Sequence, residues 1–560
     1  MLRVLLLGLW NVLRSPFYPL WWAARRARGR KTRWLRLELR PRVVELASRR
    51  DRVLARFLPN LRERMPTSLD RLRTLATKVL ADPQIDGVVV TLPLLQCGWA
   101  MAEGLRGVFA SLEAGGKKVL VHLPDGGGNK ELWVACAAGR IAAPPQATLA
   151  PLGLVAERRY YRGLLDHVGL RLEPFARKEF KTALEGFTAE GMSGPQRAQT
   201  DALLATFDDR LREALDARLA EGTDADALYA RAMLRGAEAQ ELGLLDDVAH
   251  EDELPALVGE KTLAPAGTYL ALQEARFFRR LRRRPYVGVV EVQGAIGAKR
   301  KADAVVAALR TARKDPRCAG VVLHVDSPGG SAAVSDRIHR EVARLKEKKP
   351  VVASFGDVAA SGGYYVAAGA DRIVAQPTTI TGSIGVVAAR LVATELLERL
   401  GVRTETVRRS PHGDLGSPAQ PLADAERAIF DRELDGFYED FVRLVAAGRG
   451  KDEDAIEPLA RGRVWSGADA HEVGLVDALG GLDAARAALG ELRAETRGLD
   501  ARLIAPRRLD VAPPEPPAEA AAAAVLAELA PELPGLRQAL RLARRGERVL
   551  LWAPDLPEVR

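Results

Sequence analysis

An α/β fold in two tandem copies is what this sequence predicts, and three observations carry it. Runs rich in Val, Ile and Leu alternate with helix-like stretches, the alternation recurs at a nearly constant offset, and the two copies differ where chemistry would sit. Strand–helix alternation argues for a parallel α/β core.

In chain order, residues 2–22 (LRVLLLGLWNVLRSPFYPLWW) are mostly apolar and are followed by the basic run RRARGRK. A spanning helix needs about 20 clean apolar residues. Arg14, Pro16 and Pro19 interrupt this one, and its aromatic end with trailing arginines fits a short or interfacial anchor over residues 1–31. The charge within the apolar stretch argues against a cleavable signal peptide. By positive-inside logic the basic flank would hold the following chain in the cytoplasm. After a charged connector, Leu69–Leu80 reads as a helix ending at Asp82-Pro83, and Gly87–Leu92 reads as a buried strand. Met101–Leu112 is helix-like and Lys118–Leu123 strand-like.

The repeat organises the rest. Asp82-Pro83 and Gly87-Val88-Val89 fall on Asp315-Pro316 and Gly320-Val321-Val322 at an offset of 233. From Val119 onward an offset of 232 pairs Asp125 with Asp357, Arg140-Ile141 with Arg372-Ile373, Gly153 with Gly385 and Glu173 with Glu405. Further on, GAEAQELGLLDD (Gly236–Asp247) matches GADAHEVGLVDA (Gly467–Ala478) at 231. The expected domains are therefore 67–250 and 286–480, joined by a linker over 251–285. A Pro- and Ala-rich tail over 485–560 has helix candidates at Ala518–Leu529 and Leu536–Arg545.

The net charge of +10 comes largely from arginine runs. These lack interleaved aromatics or a nucleic-acid module, so no nucleic-acid partner is expected, and anionic lipid is the better match near the N-terminus. Three widely spaced cysteines, Cys97, Cys136 and Cys318, form no disulfide framework, and no Cys/His cluster suggests a metal. They read as buried small apolar residues, and His324, in GVVLHVD, reads as a sheet or core histidine. No cofactor is expected.

Chemistry concentrates in Phe355–Val387, where Ser361 lies between Ala359-Ala360 and Gly362-Gly363. Small neighbours let a substrate backbone approach a nucleophile, and the Gly362 N–H follows it directly, where an oxyanion would develop. Gly-Ser-Gly clusters alone are usually loops. The repeat distinguishes this one: Ser361 corresponds to Asn129, Gly362 to Lys130, and DSPGGS (Asp326–Ser331) to PLLQCG (Pro93–Gly98). Conversely Lys181 corresponds to Gly413. A serine needs a base, and a lysine serves if desolvation lowers its pKa. Lys181 has apolar neighbours in Phe180, Ala183, Leu184 and Phe187, whereas Lys178 looks solvent-facing beside Arg177 and Glu179. Ser327 and Ser331 are rival nucleophiles, although Ser-Pro-Gly-Gly suits a backbone turn better.

Through VVLHVDSPGGS (Val321–Ser331), ASGGYYVAAGADRIVA (Ala360–Ala375), TGSIGV (Thr381–Val386) and FKTALEGF (Phe180–Phe187), the chain resembles the signal peptide peptidase A (protease IV) family in its long, duplicated bacterial form. The resemblance implies tandem Clp protease/crotonase-like domains built from repeated βαβ units. It implies a Ser361/Lys181 dyad, Ser383 orienting the lysine, and Gly330 and Gly362 as oxyanion-hole donors. Substrate strands would pair near Gly329-Gly330 and Ser383–Val386, bringing in Ile384 and Gly385. Remnant signal peptides are the implied substrates, a homotetramer the implied assembly, and the bacterial inner membrane with a periplasmic catalytic domain the implied location. Two other readings remain: a crotonase-type acyl-CoA hydrolase or isomerase, and a non-catalytic membrane scaffold.

Overall fold

The computed structural model describes residues 2–28, 33–47, 65–279, 281, 285–297, 299–497, 506–509 and 550–552. The tail helix candidates at 518–529 and 536–545 lie outside these. The chain forms two compact units, one of residues 1–154 and 207–285, the other of 155–206 and 286–560.

The first unit is built on a six-stranded, wholly parallel sheet. Its order is Asp247–Val248, Arg140–Ala143, Lys118–His122, Gly87–Thr91, Trp34–Glu38 and Ala264–Pro265. Two of these strands come from stretches that the sequence does not mark as sheet. Trp34–Glu38 lies in the charged connector, where Trp34 and Leu35 are buried between Gly87–Thr91 and Ala264–Pro265. Ala264–Pro265 belongs to the expected linker, which also holds the helices Leu254–Leu257 and Ala266–Glu274. Leu254 and Leu270 are buried, and this apolar side draws the segment onto the sheet.

At the N-terminus two helices, Leu2–Arg14 and Tyr18–Arg28, flank a short turn at Pro16. Leu5, Leu6, Leu9, Leu13, Phe17 and Leu20 are exposed on them. Tyr18 packs on Phe277 and Phe278, and the Asn11 side chain bonds the backbone of Arg279. No helix among the described residues is long and apolar enough to cross a membrane.

The second unit carries an eight-stranded sheet whose centre is Tyr286–Gln293, Cys318–Ser327 and Val351–Ala360, all parallel. These strands are buried nearly end to end, as continuous β-branched runs require when helices cover both faces. His324 is buried in this sheet, and Cys318 is buried at its start; Cys97 and Cys136, in the first unit, are half-buried instead. All three are free thiols. Arg372–Ala375 pairs with Val351–Ala360, and so does Ile380–Gly382 farther along the same strand. A separate four-stranded antiparallel sheet has the order Gly329–Ser331, Leu550–Trp552, Val387–Val392, Arg171–Ala176.

Elements recur at the offsets of the sequence repeat. Arg140–Ala143 and Arg372–Ala375 are both strands, as are Asp247–Val248 and Ala478–Leu479, and Gly236–Glu241 and Gly467–Glu472 are both helices. The segment 155–206, which carries Lys181, belongs to the unit that carries Ser361.

Candidate active site

Ser361 follows the strand Val351–Ala360 and precedes the helix Gly362–Ala367. Its backbone is held at φ 55°, ψ −118°, a strained conformation for a non-glycine residue. Two bonds maintain it: its N–H donates to Gly382 O at 2.8 Å, and its carbonyl accepts from Tyr365 N at 2.9 Å. The small neighbours are needed for packing here. A Cβ on Gly363 would lie 2.6 Å from the Ser327 carbonyl oxygen, so the turn after Ser361 sits directly against the Ser327–Gly330 turn.

In that second turn Gly329 has φ 95° and Gly330 φ 152°. A Cβ on Gly330 would lie 2.0 Å from Ile296 O, which excludes any side chain. Ser327 is fully buried, donates to Gly294 O at 2.7 Å and accepts Gly329 N–H at 3.1 Å. Ser331 caps the following helix by accepting from Val334 N. Both rival serines therefore have structural work, whereas Ser361 Oγ meets an amine.

That amine is Lys181. Its Nζ lies 2.8 Å from Ser361 Oγ, 2.9 Å from Ser383 O and 2.9 Å from Ser383 Oγ. The side chain is 4% exposed, and burial alone pulls its pKa down from 10.5 to about 7. Lys178, three residues earlier, pairs with Glu457 at 3.1 Å near the surface.

The segment bearing Lys181 is fixed from several sides. Arg171–Ala176 pairs antiparallel with Val387–Val392, and the buried pair Glu173–Arg390 at 3.1 Å pins the two strands. Phe180 N–H donates to Arg461 O at 3.1 Å. Gln199 bonds Thr182 Oγ1 at 2.8 Å and accepts Val464 N–H at 3.1 Å, tying the loop to the strand after Gly462. Gly462, at φ 79°, allows this closeness: a Cβ there would lie 2.5 Å from Lys181 N and 2.6 Å from its Cβ.

Ser383 sits at φ 48°, its N–H donating to Arg463 O at 2.6 Å. Gly385 is packed so that a Cβ would lie 3.2 Å from Lys181 Cδ. Ile384 turns its side chain into the core, and its carbonyl accepts Gly462 N–H at 2.8 Å, so that oxygen is already engaged. Gln199 and Gly462 were not anticipated from the sequence. Gly462 had a usable signal, because at the offset of 231 its counterpart is Arg231, the same kind of asymmetry that marks Ser361.

The first unit has different chemistry at the corresponding place. Asn129, the counterpart of Ser361, donates from Nδ2 to Gly153 O at 2.7 Å and accepts Gly153 N–H at 3.2 Å. Lys130 donates to Cys97 O at 2.8 Å. Among the described residues no group of His, Cys, Asp and Glu could hold a metal ion.

The model of peptidase family S49 matches residues 111–262 and again 343–496, one segment for each copy of the repeat. A chloroplastic serine protease SPPA of Arabidopsis thaliana is 30% identical over 75% of this chain and 64% of its own length. Protease 4 of Salmonella typhi is also 30% identical, over 65% of this chain and 62% of its own. The chain thus spans just under two thirds of these two curated relatives. Among solved structures a ClpP1 variant from Listeria monocytogenes aligns with 34% of this chain and 91% of its own, at 18% identity and a TM-score of 0.25. With the family model matching more than half its length in two segments, the chain belongs to peptidase family S49.

Proposed function

We propose that this chain is a membrane-associated serine endopeptidase with Ser361 as nucleophile and Lys181 as general base. The observation that carries the reading is the buried contact of 2.8 Å between Lys181 Nζ and Ser361 Oγ. A neutral amine has two N–H donors and one lone pair. Ser383 O and Oγ are the acceptors for the two donors, which leaves the lone pair aimed at Ser361 Oγ. A pKa of about 7 keeps much of the amine neutral near physiological pH.

In this mechanism Nζ takes the Ser361 proton as Oγ attacks the scissile carbonyl carbon. The negative charge that develops on the carbonyl oxygen is met by the N–H groups of Gly330 and Gly362. The ammonium then protonates the leaving amine nitrogen, the C–N bond breaks, and an ester remains on Ser361. Neutral Lys181 next removes a proton from water, which hydrolyses the ester and frees the acid product. A peptide would lie as an added strand along Gly329–Ser331 and the start of Val387–Val392, the position that Leu550–Trp552 takes in the structure.

Membrane association is supported by the exposed apolar side chains of residues 4–22, which pack through Tyr18 on Phe277 and Phe278, and by the basic character of the sequence FFRRLRRRP that these two phenylalanines begin. This suits an interfacial anchor and directs the activity towards remnant signal peptides and other membrane-proximal chains. Cleavage of a leader peptide or casein tests the reading: Ser361→Ala should abolish it, and unchanged cleavage would overturn it. Sedimentation with anionic vesicles, lost on removing residues 1–28, tests the membrane part.

A further inference from the structure

Beyond the strand Arg171–Ala176, Arg177 N–H donates to Val386 O at 3.1 Å and the ladder stops. Lys178 then turns the chain at φ 67°, and Lys181 follows three residues later. Each of the three charges in this bend, on Arg177, Lys178 and Glu179, meets its opposite on the stretch 431–461 of the same compact unit. Arg177 lies 2.8 Å from Asp431 and 2.6 Å from Asp435, which are one turn apart on the helix Asp424–Arg449 and so face it together. Lys178 Nζ lies 3.1 Å from Glu457, and Arg461 holds both Glu179 carboxylate oxygens, at 2.8 and 3.1 Å.

We propose that these pairs form an electrostatic clasp, with Glu179–Arg461 at its centre, that sets the position of the Lys181 amine. The proposal rests on the peptidase reading for the meaning of that amine; the clasp itself rests on the pairing. Three observations carry it. Arg461 stands directly before Gly462, the residue packed on the Lys181 backbone, and its carbonyl accepts Phe180 N–H at 3.1 Å. One residue thus grips Glu179 by its side chain and Phe180 by its backbone. Lys178 and Arg461, at φ 67° and 49°, are both strained for residues with a side chain, and their partners supply the restraint. Arg461 N–H donates to Tyr438 Oη at 3.2 Å, and Glu457 reaches Lys178 with one oxygen and lies 3.7 Å from Arg461 with the other. The repeat gives the third observation. At the offset of 232, Arg177-Lys178-Glu179 fall on Arg409-Ser410-Pro411, so the copy with no counterpart of Lys181 also lacks two of the three charges.

Exposed ion pairs contribute little to stability one at a time. Here their effect is geometric, because they fix three successive residues whose backbone leads straight to Lys181. A displaced amine leaves the substrate strands in place, so loss of the clasp lowers kcat and not substrate affinity; a shift of 1 Å can cost about 100-fold.

Charge reversal tests this in the full chain with Glu179→Arg, Arg461→Glu and the two combined. Reductive methylation followed by mass spectrometry reads the buried amine without reference to activity. Lys181 should be modified roughly 10-fold faster in each single variant and near the parental rate in the double. For a leader peptide, kcat should fall by roughly 10- to 100-fold in each single variant at unchanged KM, and return to within about 5-fold of the parent in the double. Arg461→Gln, which removes the charge without reversing it, should move both readings the same way by less, and it decides alone if a reversal does not fold. Unchanged methylation of Lys181 in the single variants overturns the clasp, and so does a double variant no better than either single one. Faster methylation with unchanged kcat overturns its role in positioning. The expected methylation pattern in chains that cleave nothing, parent included, would uphold the clasp and count against the peptidase reading.

Discussion

Lys181 Nζ and Ser361 Oγ lie 2.8 Å apart although 180 residues separate them in sequence. Both belong to one compact unit, to which residues 155–206 contribute two short helices, the strand Arg171–Ala176 and the first part of a long helix. The contact is built from backbone: antiparallel pairing of Arg171–Ala176 brings the chain in, and Gly462 lets the loop settle against its neighbour.

Burying Lys181 should cost stability in a pH-dependent way. Its folded pKa of about 7 lies below the unfolded value of 10.5, so the unfolded chain binds more protons between these values. The penalty is at full size below about pH 7, shrinks as pH rises towards 10.5, and vanishes above. Lys181→Met should therefore raise the melting temperature at pH 6 by an amount equivalent to a few kcal/mol, and much less at pH 10. Thermal melts at the two pH values check this.

Ser383 should act on the lysine and not on the substrate. Replacing it with Ala removes one of two acceptors that orient Nζ, leaving Ser383 O. A fall in kcat of roughly 10- to 100-fold is expected, with KM little changed and the pH midpoint displaced. A loss confined to KM would assign Ser383 to substrate binding instead.

Gly462→Ala should damage the site without touching it chemically. The added Cβ would collide with the Lys181 backbone, and φ 79° is unfavourable for alanine. Displacement of the base by even 1 Å can cost about 100-fold in rate. Peptidase assays with circular dichroism to verify folding would read it.

Glu173→Ala should destabilise the second unit strongly. It leaves Arg390 buried without its carboxylate, a change that typically costs about 3–5 kcal/mol. Denaturant titration measures this, and activity should fall in parallel as Arg171–Ala176 loosens.

Ser361 was legible because small residues crowd it, and Lys181 because comparison of the repeats leaves a lysine without a counterpart. The supports of that lysine were harder to read. Gln199 and Gly462 act through backbone closeness between segments more than 250 residues apart, and no local pattern encodes such an approach. Trp34–Glu38 escaped notice because only Trp34 and Leu35 are buried on an edge-side strand amid charge. Leu550–Trp552 is three residues long, below the length at which period-two alternation can be recognised.

The most direct test is mass-spectrometric mapping of a fluorophosphonate adduct across pH. The account predicts modification at Ser361, at a rate that climbs with a midpoint near pH 7, and its loss in Lys181→Met. An adduct on another serine, or equal labelling of Ser361 with and without the lysine, would contradict it.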